Sequence, residues 1–279
     1  MSQDEVNIKY EALKENLKTL GKAVVAFSGG VDSTFLLKVA SQVLGENVIA
    51  VTARSSTYPE REYQEACQYA KDFGVKHVVI ESEELEIEGF AENPVNRCYF
   101  CKNELYTKVQ EVGLQYSIPY VLDGCNKDDL GDFRPGMQAA KEIGVHSPLK
   151  EVEMTKDDIR FLSKELGLPT WDKQAFACLS SRFPYHQSIT KEKLSMVDKA
   201  EQYLLDLGFK NVRVRHHGDI ARIEVAIHER EKFFDIKMMD QVSTAFKEIG
   251  FLYTALDLKG YRTGSMNEGL LKEETTPSF

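Results

Sequence analysis

Residues 23–33, AVVAFSGGVDS, and the following TFLLKVASQVL at 34–44 decide the fold. A short apolar run, a turn with two glycines and a second, helix-periodic apolar run predict a strand, a loop and a helix. Further strands are predicted at 48–52, 77–81 and 118–124, with helical stretches between them. Strands that alternate with helices imply right-handed crossovers, a parallel sheet and helices on both of its faces. The sequence therefore predicts an α/β fold.

The pattern changes after residue 185. A helix is predicted at 190–207, then two strands joined at Gly218-Asp219, a helix at 229–249 and a strand at 251–258. This order is typical of a small α+β unit. We expect a parallel-sheet domain over residues 1–185, a smaller α+β domain for substrate binding or oligomerisation over 186–267, and a flexible tail over 268–279.

The composition limits the classes of partner. The 279 residues are 42% hydrophobic and carry 35 Lys and Arg against 44 Asp and Glu, a formal net charge of -9. Such an acidic surface argues against broad binding to nucleic acid. The apolar runs are far shorter than the roughly 20 residues that span a bilayer, and the amino-terminal residues lack the apolar core of a signal peptide. We therefore expect a cytoplasmic protein that binds neither membrane nor nucleic acid.

The glycine-containing loop at 28–33 suits an anion. Its glycines allow a sharp turn that brings backbone N–H groups close to a phosphate, and the next helix begins there with its positive end. Ser28 and Ser33 supply hydroxyl donors, and Asp32 is placed to hold Mg²⁺ or to cap the helix. The loop lacks the lysine of a Walker A motif, which would follow a γ-phosphate. The alternative is an ordinary turn with a helix cap.

The segment SGGVDS closely resembles the pyrophosphate loop of the ATP pyrophosphatase superfamily. This resemblance implies that ATP is cleaved between its α- and β-phosphates and that a substrate is activated as an adenylate. It also implies the following ATP-binding residues: Ala26, Ser28, Gly29, Gly30, Asp32, Ser33, Ala53 and Gly124.

Four other segments narrow the resemblance: LDGCNKDDLGDFRPG at 122–136, ACLSSRFPY at 177–185, VRVRHHGDIARIE at 212–224 and LDLKGYRTGSMN at 256–267. Together with the loop they are similar to the ATP-dependent sulfur transferases that make the nickel-pincer cofactor of lactate racemase. The resemblance implies that the carboxylates of pyridinium-3,5-biscarboxylic acid mononucleotide are adenylated and converted to thiocarboxylates.

The same resemblance assigns residues to the substrate. Arg213 and Arg215 alternate along one strand, so both guanidiniums face the same side and suit a phosphate. By position they would hold the mononucleotide phosphate, with Lys102 as a further phosphate contact. Glu201 would lie near the reacting groups, and Cys178 is the sulfur-bearing position. A solvated, charged strand face is the alternative for the two arginines.

The cysteines depart from the best-known form of this family, in which the cysteine at the position of Cys178 gives up its own sulfur. Here Cys98 and Cys101 add two thiols that lie one turn apart at the start of a helix. Cys98, Cys101 and Cys178 would hold three irons of a [4Fe–4S] cluster and leave the fourth iron open to sulfide, as is understood for a three-cysteine branch of the family. Two alternatives stay open: a zinc site completed by His186, and a persulfide relay to Cys178.

The predicted function is therefore an ATP- and Mg²⁺-dependent sulfur transferase that takes sulfur from sulfide or another donor and forms a homo-oligomer. A tRNA-thiolating enzyme would share the loop and the three cysteines, but the acidic charge balance argues against it. An amidotransferase-type synthetase has no use for the Cys98–Cys101 pair. A non-catalytic ATP-binding module or sulfur carrier would bind ATP without releasing pyrophosphate.

Overall fold

A computed structural model describes residues 3–131, 135–174, 177–262 and 265. Residues 132–134 of the predicted site loop, part of the segment 256–267 and the predicted tail 268–279 lie outside the described residues. The chain forms two compact units, one made of residues 1–90 and 96–176 and the other of 91–95 and 177–279. The short stretch 91–95 thus belongs to the second unit, although the chain on either side of it belongs to the first.

The larger unit alternates helices and strands as predicted. Its helices are α1 (Gln3–Leu20), α2 (Val31–Leu44), α3 (Glu60–Asp72), α4 (Arg97–Gln115), α5 (Pro135–Ile143), α6 (Pro148–Glu151) and α7 (Lys156–Glu165). Its strands are β1 (Ala23–Ala26), β2 (Val48–Arg54), β3 (Lys76–Glu81) and β4 (Val121–Leu122). The four strands form one parallel sheet in the order β3-β2-β1-β4. The predicted α/β class is confirmed.

Both faces of this sheet are covered, because successive side chains of a strand point to opposite sides. Val25 and Ala50 face a core formed with α1, α2 and α7, whereas Val24, Ile49 and Val51 face a second core formed with α4 and α5. The strands therefore read as continuous apolar runs, as a doubly covered parallel sheet requires. This packing leaves the strand ends as the places where polar residues gather.

The smaller unit contains α8 (Lys191–Asp206), α9 (Ile236–Ile249) and strands β5 (Val212–His217), β6 (Ile220–Val225) and β7 (Tyr253–Leu256). Strand β5 pairs with β6 in antiparallel register through the turn at Gly218-Asp219, and β7 adds to β6 in parallel. The predicted helix–hairpin–helix–strand order is confirmed for this unit.

The helix predicted at 229–249 is not continuous. A 3-10 helix occupies Ile227–Phe234, and α9 starts only at Ile236, after Asp235. The carboxylate of Asp235 accepts the backbone N–H of Lys237 at 3.1 Å and caps the new helix. A cap residue inside an otherwise periodic run resembles a solvent-facing position of a single helix, which is why periodicity alone does not reveal the break.

In the part of the chain that the structure describes, no helix is both long and apolar enough to cross a bilayer.

Candidate functional site

The predicted phosphate loop lies at the carboxyl end of β1, where the strand order reverses. The chain runs from β1 to β2 and β3 on one side and returns to β4 on the other. Ligands of open α/β sheets bind at this switch point, outside the carboxyl ends of the strands. Ala26 ends β1, Ala53 lies near the end of β2, and Gly124 follows β4. The described geometry therefore brings the predicted ATP-binding residues of the large unit to one edge.

The loop backbone needs its glycines. Gly29 has a φ of +62°, and a Cβ there would lie 3.1 Å from the Cβ of Ala66 on α3. Gly30 is the residue before α2 and has no side chain with which to cap the helix. The first N–H groups of α2 are therefore available to an anion, with the positive end of the helix behind them.

The two loop serines face each other. The hydroxyl oxygens of Ser28 and Ser33 are 3.2 Å apart, and the backbone N–H of Ser28 also donates to the Ser33 hydroxyl at 3.4 Å. The Tyr58 hydroxyl donates to the Ser28 carbonyl at 2.8 Å and fixes the outer side of the loop. Both hydroxyls thus lie in the same turn as the N–H groups, the arrangement expected of a phosphate cradle.

Asp32 is half-buried, and only one of its two carboxylate oxygens has a partner among the described residues. Its Oδ2 atom forms an ion pair with Lys156 at the start of α7, whereas its Oδ1 atom is buried with no hydrogen-bond partner in the described residues. Burial raises the pKa of Asp32 above its ordinary value, and Lys156 opposes this rise. A carboxylate oxygen left unsatisfied beside a phosphate cradle fits an oxygen-preferring cation such as Mg²⁺.

Gly124 fits tightly against the loop. A Cβ on Gly124 would lie 3.0 Å from the Ser33 nitrogen and 3.2 Å from the Cβ of Asp32. Two of the three nearest atoms belong to the backbone at the start of α2, so a methyl group here would require the loop to shift by a few tenths of an ångström. A glycine at this position allows the segment after β4 to lie this close to the loop.

A buried polar network lies beside Gly124. Asp123 accepts hydrogen bonds from the Tyr106 hydroxyl at 3.0 Å, from the Cys125 thiol at 3.2 Å and from the Cys125 N–H at 3.1 Å. Burial, with Asp123, raises the pKa of Cys125 to about 12, so this thiol stays protonated. The Lys102 ammonium lies 5.2 Å from the centre of the Tyr106 ring, and the acidic groups around it, Tyr106 first, raise its pKa.

Lys173 holds the loop from the other side. Its ammonium donates to the Gly29 carbonyl at 3.2 Å and pairs with Glu62 at 2.7 Å and with Glu65 on α3. Arg160 on α7 in turn donates to the Lys173 carbonyl at 2.7 Å. The loop is therefore braced by α3 and α7, a support that the loop sequence does not reveal.

Cys98 and Cys101 lie at the start of α4, as predicted. Cys98 is exposed, whereas Cys101 is half-buried with its sulfur 3.7 Å from an oxygen of Glu84. All five cysteines lie in the described residues, and none is in a disulfide. Among residues that the structure describes, no three His, Cys, Asp or Glu side chains form a group that would hold a metal.

The small unit contains the predicted arginines. Arg213 and Arg215 lie on β5 and are buried, and the Arg213 guanidinium lies 5.1 Å from the Tyr261 ring centre. Arg215 donates to Glu224 at 2.8 Å and to the Ser265 hydroxyl at 2.9 Å, while its Nε has no partner among the described residues. Burial and the neighbouring Arg182 lower the pKa of Arg213.

Glu201 on α8 is completely buried and fully engaged. Its two oxygens accept Nε and Nη2 of Arg182, each at 2.9 Å, and Oε1 also accepts the Val214 N–H at 2.9 Å. Burial alone would raise the pKa of Glu201, but Arg182, Arg213 and the Val214 N–H lower it below its ordinary range. Glu201 is thus held as a carboxylate. Three buried arginines, at 182, 213 and 215, face two buried carboxylates, at 201 and 224, which leaves positive charge to attract an anion.

Cys178 precedes the 3-10 helix Leu179–Arg182 and belongs to the small unit. Its carbonyl accepts the Ser181 N–H at 3.0 Å and a guanidinium N–H of Arg182 at 3.1 Å. The sequence motifs include Arg182 without giving it a role, and they do not point to Lys156, Lys173 or Tyr106. Thr155, which forms a capping box with Asp158 before α7, is the available signal for Lys156, since it places the next residue at a helix start.

Comparison with known proteins supports the loop assignment and extends it. The sequence profile of the NAD synthase family matches residues 5–97. An uncharacterized protein of Synechocystis is 45% identical over 264 residues, which cover 95% of this chain and 98% of that protein. A subunit of the glutamine-hydrolyzing GMP synthase of Thermoplasma volcanium is 28% identical over 200 residues, covering 66% of this chain and 64% of the relative.

One full-length relative has a specific name. The pyridinium-3,5-bisthiocarboxylic acid mononucleotide synthase of Lactiplantibacillus plantarum is 39% identical over 267 residues. The match covers 95% of this chain and 96% of the synthase, so it includes both units. The matched region therefore covers both the unit that contains the phosphate loop and the unit that contains the arginines and Cys178.

Proposed function

Because this chain belongs to the ATP pyrophosphatase family of sulfur-inserting enzymes that includes the Lactiplantibacillus plantarum synthase, we propose that it converts pyridinium-3,5-biscarboxylic acid mononucleotide to its thiocarboxylate form. The observation that carries this proposal is the full-length match, which spans the phosphate loop and the buried arginines together. A nucleotide-binding module alone would account for the first of these features and leave the second unused.

The first step is adenylation of a substrate carboxylate. A carboxylate oxygen attacks the α-phosphorus of ATP, the bond to the β-phosphate oxygen breaks, and pyrophosphate leaves. The N–H groups of the loop and the start of α2 would stabilise the phosphate charge, and Asp32 would hold Mg²⁺ through its unpartnered oxygen. Lys156, which pairs with the other oxygen of Asp32, would add a positive charge beside the same phosphates.

The second step is sulfur insertion. A sulfur nucleophile attacks the acyl carbon of the adenylate, and AMP leaves with the carbonyl-bound oxygen. The small unit would bind the mononucleotide phosphate through Arg213 and Arg215. The buried arginines of this unit outnumber the buried carboxylates that they face, so a net positive charge is left for the phosphate. The Nε of Arg215, which has no partner among the described residues, is a donor suited to such a phosphate.

The proposed sulfur route uses Cys98, Cys101 and Cys178 as ligands of a [4Fe–4S] cluster. Their chemistry fits, since thiols are the donors that such clusters take, none of the three is in a disulfide, and two lie one helical turn apart. When bound, such a cluster would present an open iron to sulfide. Cys101 is less exposed to solvent than Cys98, and its thiol lies beside the carboxylate of Glu84. The persulfide relay is the competing route for the same residues.

The deciding experiment uses protein purified without oxygen and incubated with ATP, Mg²⁺ and sulfide. We expect AMP and pyrophosphate only when the pyridinium dicarboxylate mononucleotide is added, together with a substrate mass gain of about 16 Da for each oxygen replaced by sulfur. Iron and sulfide analysis of the same sample tests the cluster separately. ADP as the main product, or AMP formation that ignores the added dicarboxylate, would contradict the proposed function.

A further inference from the structure

Arg182 is completely buried, and its contacts connect the sulfur-bearing position to the core of the small unit. A buried guanidinium is costly unless its N–H groups are paired. Nε and Nη2 of Arg182 meet the two oxygens of Glu201, and Nη1 donates to the Ala177 carbonyl, to the Cys178 carbonyl at 3.1 Å and to the Ser181 hydroxyl at 2.9 Å. One side chain thus binds a helix on one side and the backbone of Cys178 on the other.

The anchor at the far end is rigid. Glu201 lies in the middle of α8, is completely buried, and also accepts the backbone N–H of Val214 on β5. The backbone at Cys178 is itself irregular, since it precedes a one-turn 3-10 helix. Irregular backbone of this kind keeps its position only where other groups hold it. The guanidinium of Arg182 supplies that restraint.

We infer that Arg182 and Glu201 are a positioning pair that fixes the backbone of Cys178 for sulfur delivery. This inference rests on the proposed function for the role of Cys178 and holds for either sulfur route. It changes the expectation for Glu201: a carboxylate whose two oxygens are both occupied by Arg182 acts through Cys178 rather than on the substrate. The pair has no part in adenylation, which we assign to the phosphate loop of the large unit.

The test compares two products of one reaction. Adenylate that receives no sulfur is hydrolysed by water to the carboxylate and AMP, so the thiocarboxylate formed per AMP measures sulfur delivery and does not depend on the fraction of folded enzyme. In the double variant Arg182→Met/Glu201→Gln, the methionine replaces most of the buried volume and the glutamine keeps an acceptor for the Val214 N–H. Replacing a buried ion pair in this way is often tolerated by the fold. We expect the ratio to fall by about tenfold or more, the effect of losing a charged hydrogen-bond partner.

Two further variants distinguish the hydrogen bonds of Arg182 from its positive charge. Arg182→Lys keeps a positive charge against Glu201, but a single ammonium cannot span the carboxylate and the carbonyls, so the ratio should fall here as well. Glu229→Gln is the matched control, because Glu229 is a buried carboxylate of the same unit that instead holds the Lys210 and Asn211 N–H groups. Its ratio should equal that of the parent. An unchanged ratio in both Arg182 variants would overturn the inference.

A second readout decides the inference even if the chain acts on a different substrate. The Ser181 N–H donates to the Cys178 carbonyl, so its hydrogen exchange reports the order of this segment. In the Arg182 variants we expect peptides covering 177–183 to exchange about tenfold faster while α9 keeps the parental rate. Equal exchange rates in parent and variants would show that Arg182 does not hold Cys178. Absence of AMP formation in the parent would instead count against the proposed function alone.

Discussion

Lys156 forms an ion pair with Asp32, although the two residues lie 124 positions apart in the chain. The pair joins the start of α7 to the phosphate loop and leaves one oxygen of Asp32 buried without a partner in the described residues. The negative charge of Asp32 therefore destabilises the fold, and its unpartnered oxygen is a suitable ligand for Mg²⁺.

We predict that Asp32→Asn abolishes AMP formation but does not lower the melting temperature. The pKa of Asp32 in the folded state lies above its ordinary value of 3.8. The protonated side chain therefore stabilises the fold fully below pH 3.8, and this stabilisation is lost as pH rises through the folded-state pKa. At neutral pH the ionised group thus opposes folding, and a neutral amide removes that cost. Nucleotide chromatography and thermal unfolding at neutral pH check the two halves. Retained activity would mean that Asp32 does not serve the metal.

Gly124→Ala should weaken ATP binding. The new methyl group would lie 3.0 Å from the Ser33 nitrogen and 3.2 Å from the Asp32 Cβ, which is tighter than most such contacts, and would push the phosphate loop aside. Equilibrium binding of a non-hydrolysable ATP analogue measures the effect, with circular dichroism to verify the fold. Parental affinity would show that the loop tolerates a shift of this size.

Arg213→Gln and Arg215→Gln should impair use of the mononucleotide more than use of ATP. Loss of a charged hydrogen-bond partner costs about 1.5–3 kcal/mol, which corresponds to roughly tenfold to a hundredfold in kcat/KM. Arg215 also donates to the Ser181 carbonyl and to Glu224, so its variant should lower the melting temperature in addition. Steady-state kinetics with each substrate varied in turn separates these effects. Equal losses for both substrates would assign the arginines a structural role.

Cys125 should make stability fall at alkaline pH. Its folded-state pKa, about 12, exceeds the ordinary value of 9.0, so the stabilisation is complete below pH 9 and is lost as pH rises towards 12. Urea unfolding at about pH 8 and about pH 10 should therefore show a larger loss for the parent than for Cys125→Ala. At the lower pH, iodoacetamide should modify the exposed Cys98 and leave Cys125 intact. Identical pH dependence in parent and variant would argue against a partly buried thiol that stays protonated.

If the three-cysteine route operates, one chain should make more than one thiocarboxylate when sulfide is supplied without oxygen. A sacrificial cysteine delivers one sulfur and becomes dehydroalanine, whereas an open iron can take up sulfide repeatedly. Cys98→Ala and Cys101→Ala should lose multiple turnover together with the broad visible absorbance of a cluster, while Cys67→Ala should keep both. Intact mass after the reaction is the decisive measurement, because conversion of Cys178 to dehydroalanine in an active Cys98→Ala protein would exclude the cluster.

The sequence predicts most of the fold because the relevant signals are local. The apolar runs at 23–27 and 48–52 are each read within a few positions, and the structure places strands there as expected. The break before α9 escapes prediction because Asp235 has the same polarity as a surface position of a continuous helix.

The candidate site is less accessible from sequence, because its decisive contacts join residues far apart in the chain. A motif identifies the loop, but nothing near Asp32 in the sequence indicates Lys156. Likewise, Arg182 and Glu201 are ordinary charged residues until the fold buries them against each other. Such pairs depend on tertiary packing, which periodicity and spacing do not report.

The segment 91–95 has a consequence for how this protein can be divided. The Ala91 and Asn93 carbonyls accept the N–H groups of Ile189 and His186, and the Asn93 amide donates to the Phe183 and Pro184 carbonyls. A gene fragment that starts at codon 177 would thus encode the small unit without a piece that completes its hydrogen bonding. The complete unit therefore cannot be transferred as one continuous stretch of sequence, either by exchange of modules in evolution or by domain grafting in the laboratory. During synthesis, moreover, residues 91–95 must wait for some ninety residues of later chain before their partners exist.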